Sequence, residues 1–172
     1  MEYYIRPARP DDLDAIMTIV ESGRQYLKSQ GLPQWQDGEG PDLALVTGDI
    51  DAGHGYVLLC EGVISGYLAL IPGPDGNPPL SEGAWDERFE QYAAIHRVAL
   101  GSNCRGRGLG NVFLRDAITA ARVLGYRDIR LDTHPGNLIM QKAIAKVGFT
   151  HVGLMELPMQ NGERLAYQLL LD

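Results

Sequence analysis

An α/β chain built on one mixed sheet is predicted by three features of this sequence. The β-rich runs Tyr56 to Cys60 and Ile64 to Ile71 are separated only by Glu61-Gly62-Val63, which reads as a hairpin. In the second half, strand-like runs alternate with helical ones, the arrangement of strand–helix units. Near the end, Leu165, Tyr167, Leu169 and Leu171 fall on alternate positions, the period of a strand with one buried face. A hairpin together with strand–helix units requires a mixed sheet.

Taken in order, Tyr3 to Arg6 is a short first strand. Pro10 opens a helix whose first turn carries Asp11 and Asp12, where negative charge suits the helix dipole. Leu13, Ile16, Met17 and Val20 give it one apolar face as it runs toward Leu27. Glycines and prolines make Gln30 to Pro41 a loop, and Leu43, Val46 and Ile50 mark a second helix from Asp42 to Asp51. The hairpin follows, and Pro72 to Gly83, dense in Pro, Gly and Asp, reads as a mobile loop. Ala93 to Leu100 is a strand, Gly108 to Leu124 a helix, Ile129 to Thr133 a strand and Asn137 to Val147 a helix stopped by Gly148. His151 to Leu157 and Leu165 to Leu171 form a closing hairpin around Gln160-Asn161-Gly162. The expectation is a single domain over residues 1–172 with about six to seven strands and about four helices.

Composition narrows the class. The chain has 172 residues, 45% apolar and 22% charged, ordinary for a globular protein with a real core. Its net charge of −7 argues against non-specific binding to nucleic acid or to an anionic membrane, and mildly favours a cationic small substrate. Neither a bilayer-spanning apolar run nor a signal-peptide pattern is visible. Cys60 and Cys104 make no disulfide framework, and they and the four histidines show no metal-ligand spacing. These features point to a reduced, cytoplasmic protein with no metal.

The chemistry concentrates in one stretch, Val98-Ala99-Leu100-Gly101-Ser102-Asn103-Cys104-Arg105-Gly106-Arg107-Gly108-Leu109-Gly110. A strand enters a turn with several glycines, and a helix begins inside it. Glycines admit close backbone approach, and N–H groups at a helix start point outward with the positive dipole end behind them. Arg105 and Arg107 add charge with the bidentate geometry that phosphate oxygens accept. The result is an anion cradle, with phosphate the expected anion. The P-loop pattern is absent, and the dinucleotide pattern fails because Asn111 and Phe113 occupy the positions where its last glycine would fall. A purely structural turn with solvated arginines is the plain alternative.

Arg105-x-x-Gly108-x-Gly110 after an apolar strand resembles the acetyl-CoA signature of the GNAT N-acetyltransferase superfamily. The resemblance continues through strand Ile129 to Thr133, Asn137, Ala143, Lys146 and Gly148-Phe149, and covers the Arg6-Pro7-Ala8 to Asp12 entry. Gln34-Trp35 is similar to an uncharacterised bacterial branch of that family. The resemblance implies a mostly antiparallel mixed sheet and transfer of an acetyl group from acetyl-CoA to a primary amine of a small molecule, peptide or protein. It implies that backbone N–H groups of Val98, Ala99 and Leu100, freed by a bulge, face the thioester, and that Arg105, Gly106, Arg107, Gly108, Leu109 and Gly110 hold the pyrophosphate. It puts Asn137 near the pantetheine arm and makes a homodimer possible.

His96 is the expected base. Period-two alternation puts it on the face of Val98 and Leu100, it stands where many relatives carry a glutamate, and an ordinary imidazole titrates near neutrality. A His simply packed in the sheet is the alternative, and Glu90, Tyr92 and Glu156 are weaker choices. Trp35 and Tyr92 are placed at the acceptor pocket, with walls from Leu27 to Gly40, Pro72 to Gly83 and the final hairpin; Trp35 could equally cap the core edge. Where many relatives have a proton-donating tyrosine, this chain has Ile144, so His134, Tyr126, water or unassisted thiolate departure would have to serve. That gap keeps open a module that binds acyl-CoA without turnover, and a nucleotide-binding α/β protein is a third reading.

Overall fold

The computed structural model describes residues 2–172. Strand β1 (Tyr3–Pro7) leads through a 3-10 turn at Pro10–Asp12 into α1 (Leu13–Ser29) and then α2 (Leu43–Asp51). Strands β2 (Gly55–Cys60), β3 (Val63–Pro72), β4 (Leu80–Gly83) and β5 (Ala93–Leu100) follow. The second half contains α3 (Leu109–Val123), β6 (Asp128–Thr133), α4 (Leu138–Lys146), β7 (Thr150–Glu156) and β8 (Glu163–Leu170). All eight strands join one sheet in the order β1-β2-β3-β5-β6-β8-β7-β4. β5 and β6 run parallel, while every other neighbouring pair is antiparallel.

The eighth strand corrects the expected count. Leu80–Gly83 lies at the end of the segment read as a mobile loop, and it pairs with β7 through Leu80↔Met155 and Gly83↔Gly153. Its sequence, Leu-Ser-Glu-Gly, carries no apolar alternation. It is extended because β7 offers a free edge, a tertiary cause that a local pattern does not contain.

Side-chain alternation splits the core into two layers. On one face, Leu58, Leu68, Ile95, Ile129 and Leu131 meet Leu109, Phe113, Leu114, Ala117 and Ala121 of α3 and Ile144 of α4. On the other, Val57, Leu59, Tyr67 and Ala99 meet Ile16, Ile19 and Val20 of α1 and Val46 and Ile50 of α2. Helix starts follow their local chemistry. Asp42 caps α2 by accepting from Leu45 N–H at 2.8 Å, and Asn137 caps α4 by accepting from Met140 N–H at 3.2 Å. α3 differs: its N-cap is Gly108 in the left-handed region (φ 75), and no side chain among the described residues caps it.

Two irregularities shape the centre of the sheet. β5 pairs with β6 only at Ala93↔Ile129 and Ala94↔Arg130, so the two strands part beyond that point. On its other side β5 carries a bulge, because Ala69↔His96 and Tyr67↔Ala99 set Arg97 and Val98 against the single residue Leu68. Arg97 takes φ 58 there.

Candidate active site

Where β5 and β6 part, a cavity of about 810 Å³ opens. Gly106, Gly108 and Gly110 line one end, residues 95–100 of β5 line its length, and Asp132, Leu157, Met159 and Arg164 line the other end. Trp35, Glu39 and Pro41 of the loop after α1 form part of the wall. At the glycine end, a Cβ added to Gly106 or Gly108 would meet nothing within 4 Å. Both residues have positive φ (73 and 75), so any side chain there would be strained and would also fill that open space. The N–H groups of the first α3 turn face a ligand-sized space without a competing cap, which fits a phosphate.

The two arginines of the cradle are held in different ways. The Arg105 guanidinium turns toward α1, where Nη2 donates to Ser22 O (2.9 Å), Ser22 Oγ (3.0 Å) and Leu100 O (3.0 Å) and the group stacks over Tyr26 at 4.4 Å. Its side chain ties the cradle to α1, while the residue also lines the cavity. Arg107 is exposed, with Nη1 donating to Asn103 O at 3.1 Å. Lys142 and Lys146 of α4 line the cavity as well, Lys146 being one of the residues that carry the resemblance.

His96 lines the cavity, but on the face opposite to the expected one. Ile95, Val98 and Leu100 all pack in the α3/α4 layer, whereas Ala99 packs in the α1/α2 layer. The extra residue at the bulge offsets the alternation by one, so His96 does not share the face of Val98 and Leu100. Its Nε2 lies 2.7 Å from Asp75 Oδ2. Asp75 also receives a hydrogen bond from the Tyr92 hydroxyl (3.1 Å), and its own N–H donates back to that oxygen (3.2 Å). Burial alone would raise the Asp75 carboxyl. The His96 hydrogen bond and charge, with the Asn77 N–H and the Tyr92 hydroxyl, outweigh burial and hold it below the ordinary carboxylate range.

Tyr92 therefore sits behind Asp75. It lines a smaller cavity of about 290 Å³ with Trp85 and Arg130, not the main one, which corrects its placement at the acceptor pocket. The Arg130 guanidinium stacks at 4.0 Å from the Tyr92 ring and 4.5 Å from Trp85. Trp35 packs against the α1/α2 layer and also walls the cavity, with its carbonyl accepting from Arg24 Nε at 3.0 Å. Asn137 lines the cavity while capping α4, and its Nδ2 donates to Gln34 Oε1 at 3.2 Å, linking α4 to the Trp35 loop. Ile144, on the buried face of α4, is fully buried. Neither His134 nor Tyr126 is among the residues lining the cavity, and the same holds for Glu90 and Glu156.

A buried cluster supports the bulge. Arg97 Nε and Nη2 grip Asp49 of α2 at 2.9 and 2.6 Å, and the Tyr67 hydroxyl donates to the same carboxylate at 2.6 Å. Burial first, then the Asp49 hydrogen bond, raises the Tyr67 hydroxyl far above its ordinary value, so it remains a donor. Sequence reading missed Asp75, Asp49, Arg97, Asp132 and Arg164. Each is an isolated polar residue whose partner is remote in the chain.

Residues 20–149 match the model of the acetyltransferase (GNAT) family, and the chain belongs to that family. Among solved structures, it is similar to a GNAT-family acetyltransferase of Streptococcus agalactiae 2603, with 32% identity, TM-score 0.86, and 99% of this chain and 96% of that one covered. It is also similar to YncA of Salmonella typhimurium, solved with its cofactor acetyl-CoA, at 21% identity, TM-score 0.69 and 99% and 94% coverage. A curated relative, the uncharacterised N-acetyltransferase YesJ of Bacillus subtilis strain 168, is 26% identical over 153 residues, covering 88% of this chain and 83% of YesJ.

Proposed function

We propose that this protein transfers an acetyl group from acetyl-CoA to a primary amine by direct attack within a ternary complex. The observation that carries this reading is one continuous cavity joining the uncapped, glycine-flanked start of α3 to His96 and its Asp75 partner. The co-substrate would supply a thioester. The first-turn N–H groups of α3 and the backbone of the cradle would hold its pyrophosphate, with Lys142 and Lys146 adding positive charge on the same wall. That a relative of the same fold was solved with acetyl-CoA supports the choice of ligand. The joining of all eight strands in one sheet supports a single functional domain. Two free, buried thiols are in keeping with a cytoplasmic protein, and no described helix is long and apolar enough to cross a membrane.

In this scheme Asp75 accepts the Nε2 proton of neutral His96, fixing the tautomer in which Nδ1 carries the lone pair. Nδ1 takes a proton from the bound ammonium, directly or through one water. The amine nitrogen bonds to the thioester carbon, the C–S bond breaks, and the second proton of the former ammonium passes, directly or through water, to the departing thiolate. CoA thus leaves as the thiol, and His96 returns its proton to solvent. Departure without a protein acid is chemically reasonable because a thiol is far more acidic than an alcohol. Oxyanion stabilisation is assigned to the β5 edge beyond Ala94, where the strand has left β6.

The test pairs calorimetry with a thiol-release assay. Acetyl-CoA should bind saturably, while ATP and NAD should not compete. Thiol should appear only when an amine is present. His96→Ala should lower turnover by about a hundredfold or more and leave acetyl-CoA affinity nearly intact. Binding with no thiol release from any amine would favour the acyl-CoA-sensing alternative.

A further inference from the structure

The end of the cavity away from the cradle holds two opposite charges that the transfer chemistry does not use. Arg164 of β8 is only 7% exposed. Its Nη1 is satisfied by two backbone carbonyls, Asn161 O and Glu163 O, each at 2.8 Å. The remaining edge is different. Nη2 meets only the thioether sulfur of Met159 at 3.9 Å, and Nε has no hydrogen-bond acceptor among the described residues. The nearest carboxylate oxygen, Asp132 Oδ2, stands 4.0 Å from Nε, too far for a hydrogen bond. The open edge is the side of a guanidinium that takes a carboxylate with two parallel N–H bonds.

Asp132 of β6 is half-buried, its side chain 13% exposed, and incompletely paired, with one hydrogen bond from Asn77 Nδ2 at 3.1 Å. It and Arg164 both line the main cavity, as does His96. On β6, Ile129 and Leu131 belong to the α3/α4 layer, and on β8 so does Leu165. Asp132 and Arg164 therefore share the opposite face, the one that carries His96. Desolvation works against both charges, raising the Asp132 carboxyl and lowering the Arg164 guanidinium. Neither charge is fully compensated by the other.

We infer that Asp132 and Arg164 form the acceptor subsite and that the acceptor is a free α-amino acid, its carboxylate on the open edge of Arg164 and its amine beside Asp132 and His96. This rests on the acyl-CoA reading above. The spacing decides the class. Two protein charges about one contact apart demand ligand charges of opposite sign that are equally close, which an α-amino acid has. A polyamine would set a second cation against Arg164, and a protein lysine or peptide N-terminus would leave the Nε/Nη2 edge of Arg164 without a hydrogen-bond acceptor other than the Met159 sulfur. Glu39, which lines the cavity, and Glu156 act on Arg164 at longer range and offset part of its charge. Leu157, Met159 and Trp35 border the same space and would receive an apolar side chain.

The test starts with acetyl-CoA titration of the wild type. Absence of binding there would overturn the acyl-CoA reading and this inference with it. With binding present, thiol release is measured for a panel of α-amino acids, each beside its decarboxylated amine and its methyl ester, with spermidine and a short peptide added. The inference expects kcat/KM at least a hundredfold higher for the preferred amino acid than for its amine or ester. Equal or better turnover of the amines, spermidine or the peptide would sink the inference while leaving the acyl-CoA reading standing. Arg164→Met should raise KM for the amino acid and shrink that preference by about a hundredfold, with acetyl-CoA affinity unchanged. Arg164→Lys, which keeps the charge but not the fork, should lose most of the preference as well. An unaltered preference in either folded variant would exclude Arg164 from the subsite.

Discussion

His96 and Asp75 show how one contact changes the meaning of a residue. Alone in a strand, a histidine is as readily a packed side chain as a base. With Asp75 at 2.7 Å from Nε2, and Tyr92 holding the carboxylate from behind, the imidazole has a fixed orientation, as the proposed role of base requires. Asp75→Asn should lower kcat by about tenfold or more, while leaving the acetyl-CoA dissociation constant unchanged in calorimetry. Loss of acetyl-CoA binding in this variant would instead mean that the loop carrying Asp75 shapes the cradle. Arg105 is held in another way, its guanidinium bonding Ser22 and Leu100 and stacking over Tyr26.

Among the elements, α3 and β5 carry the site. α3 begins on a left-handed glycine with no side-chain cap, which leaves its first N–H groups to a ligand. Gly108→Val combines a strained backbone with a side chain projecting into the open space. It should weaken acetyl-CoA binding at least tenfold in a titration, with a stability loss of about 1–3 kcal/mol. β5 depends on the bulge at Arg97, whose positive φ is held by the buried Asp49 carboxylate. Removing one partner of a buried ion pair is strongly destabilising because the other charge remains. Asp49→Ala should therefore reduce unfolding free energy by about 3–5 kcal/mol in a denaturant titration. Tyr67→Phe, which removes one hydrogen bond to the same carboxylate, should cost about 1 kcal/mol.

For the whole molecule, acid stability depends on carboxylates held below their ordinary range. Asp12 is lowered first by its hydrogen bonds with Arg6, at 2.7 and 3.0 Å, against the opposing effect of burial. Asp75 is lowered by His96 and its neighbours. A carboxyl whose folded value lies below its unfolded value of about 4 binds fewer protons in the native state. It contributes stability that is full above pH ~4–5 and lost as the pH falls through the folded value. Asp12→Asn and Asp75→Asn should thus lower the melting temperature at pH 7, and the gap from the wild type should close as the pH approaches about 3. A gap that persists in acid would assign the effect to packing.

Periodicity and turn chemistry were sufficient for much of this protein, because the forces behind them act within a few residues. The succession of strands and helices, the glycine-rich helix start and the family resemblance could all be read from the chain, since a helix face or a hairpin turn is determined by neighbours. Partners distant in the chain decided the rest. Asp75 is 21 residues from His96, Asp49 is 48 from Arg97, and Asn77 is 55 from Asp132. β4 is a strand only because β7 lies beside it, and His96 changed faces because one bulge residue shifted the alternation. Sequence alone determined the order of the elements other than β4 and the glycine-rich, uncapped start of α3. Only the tertiary structure decided which charges meet in the cavity, because those pairings depend on how the sheet brings together segments that carry no local mark of one another.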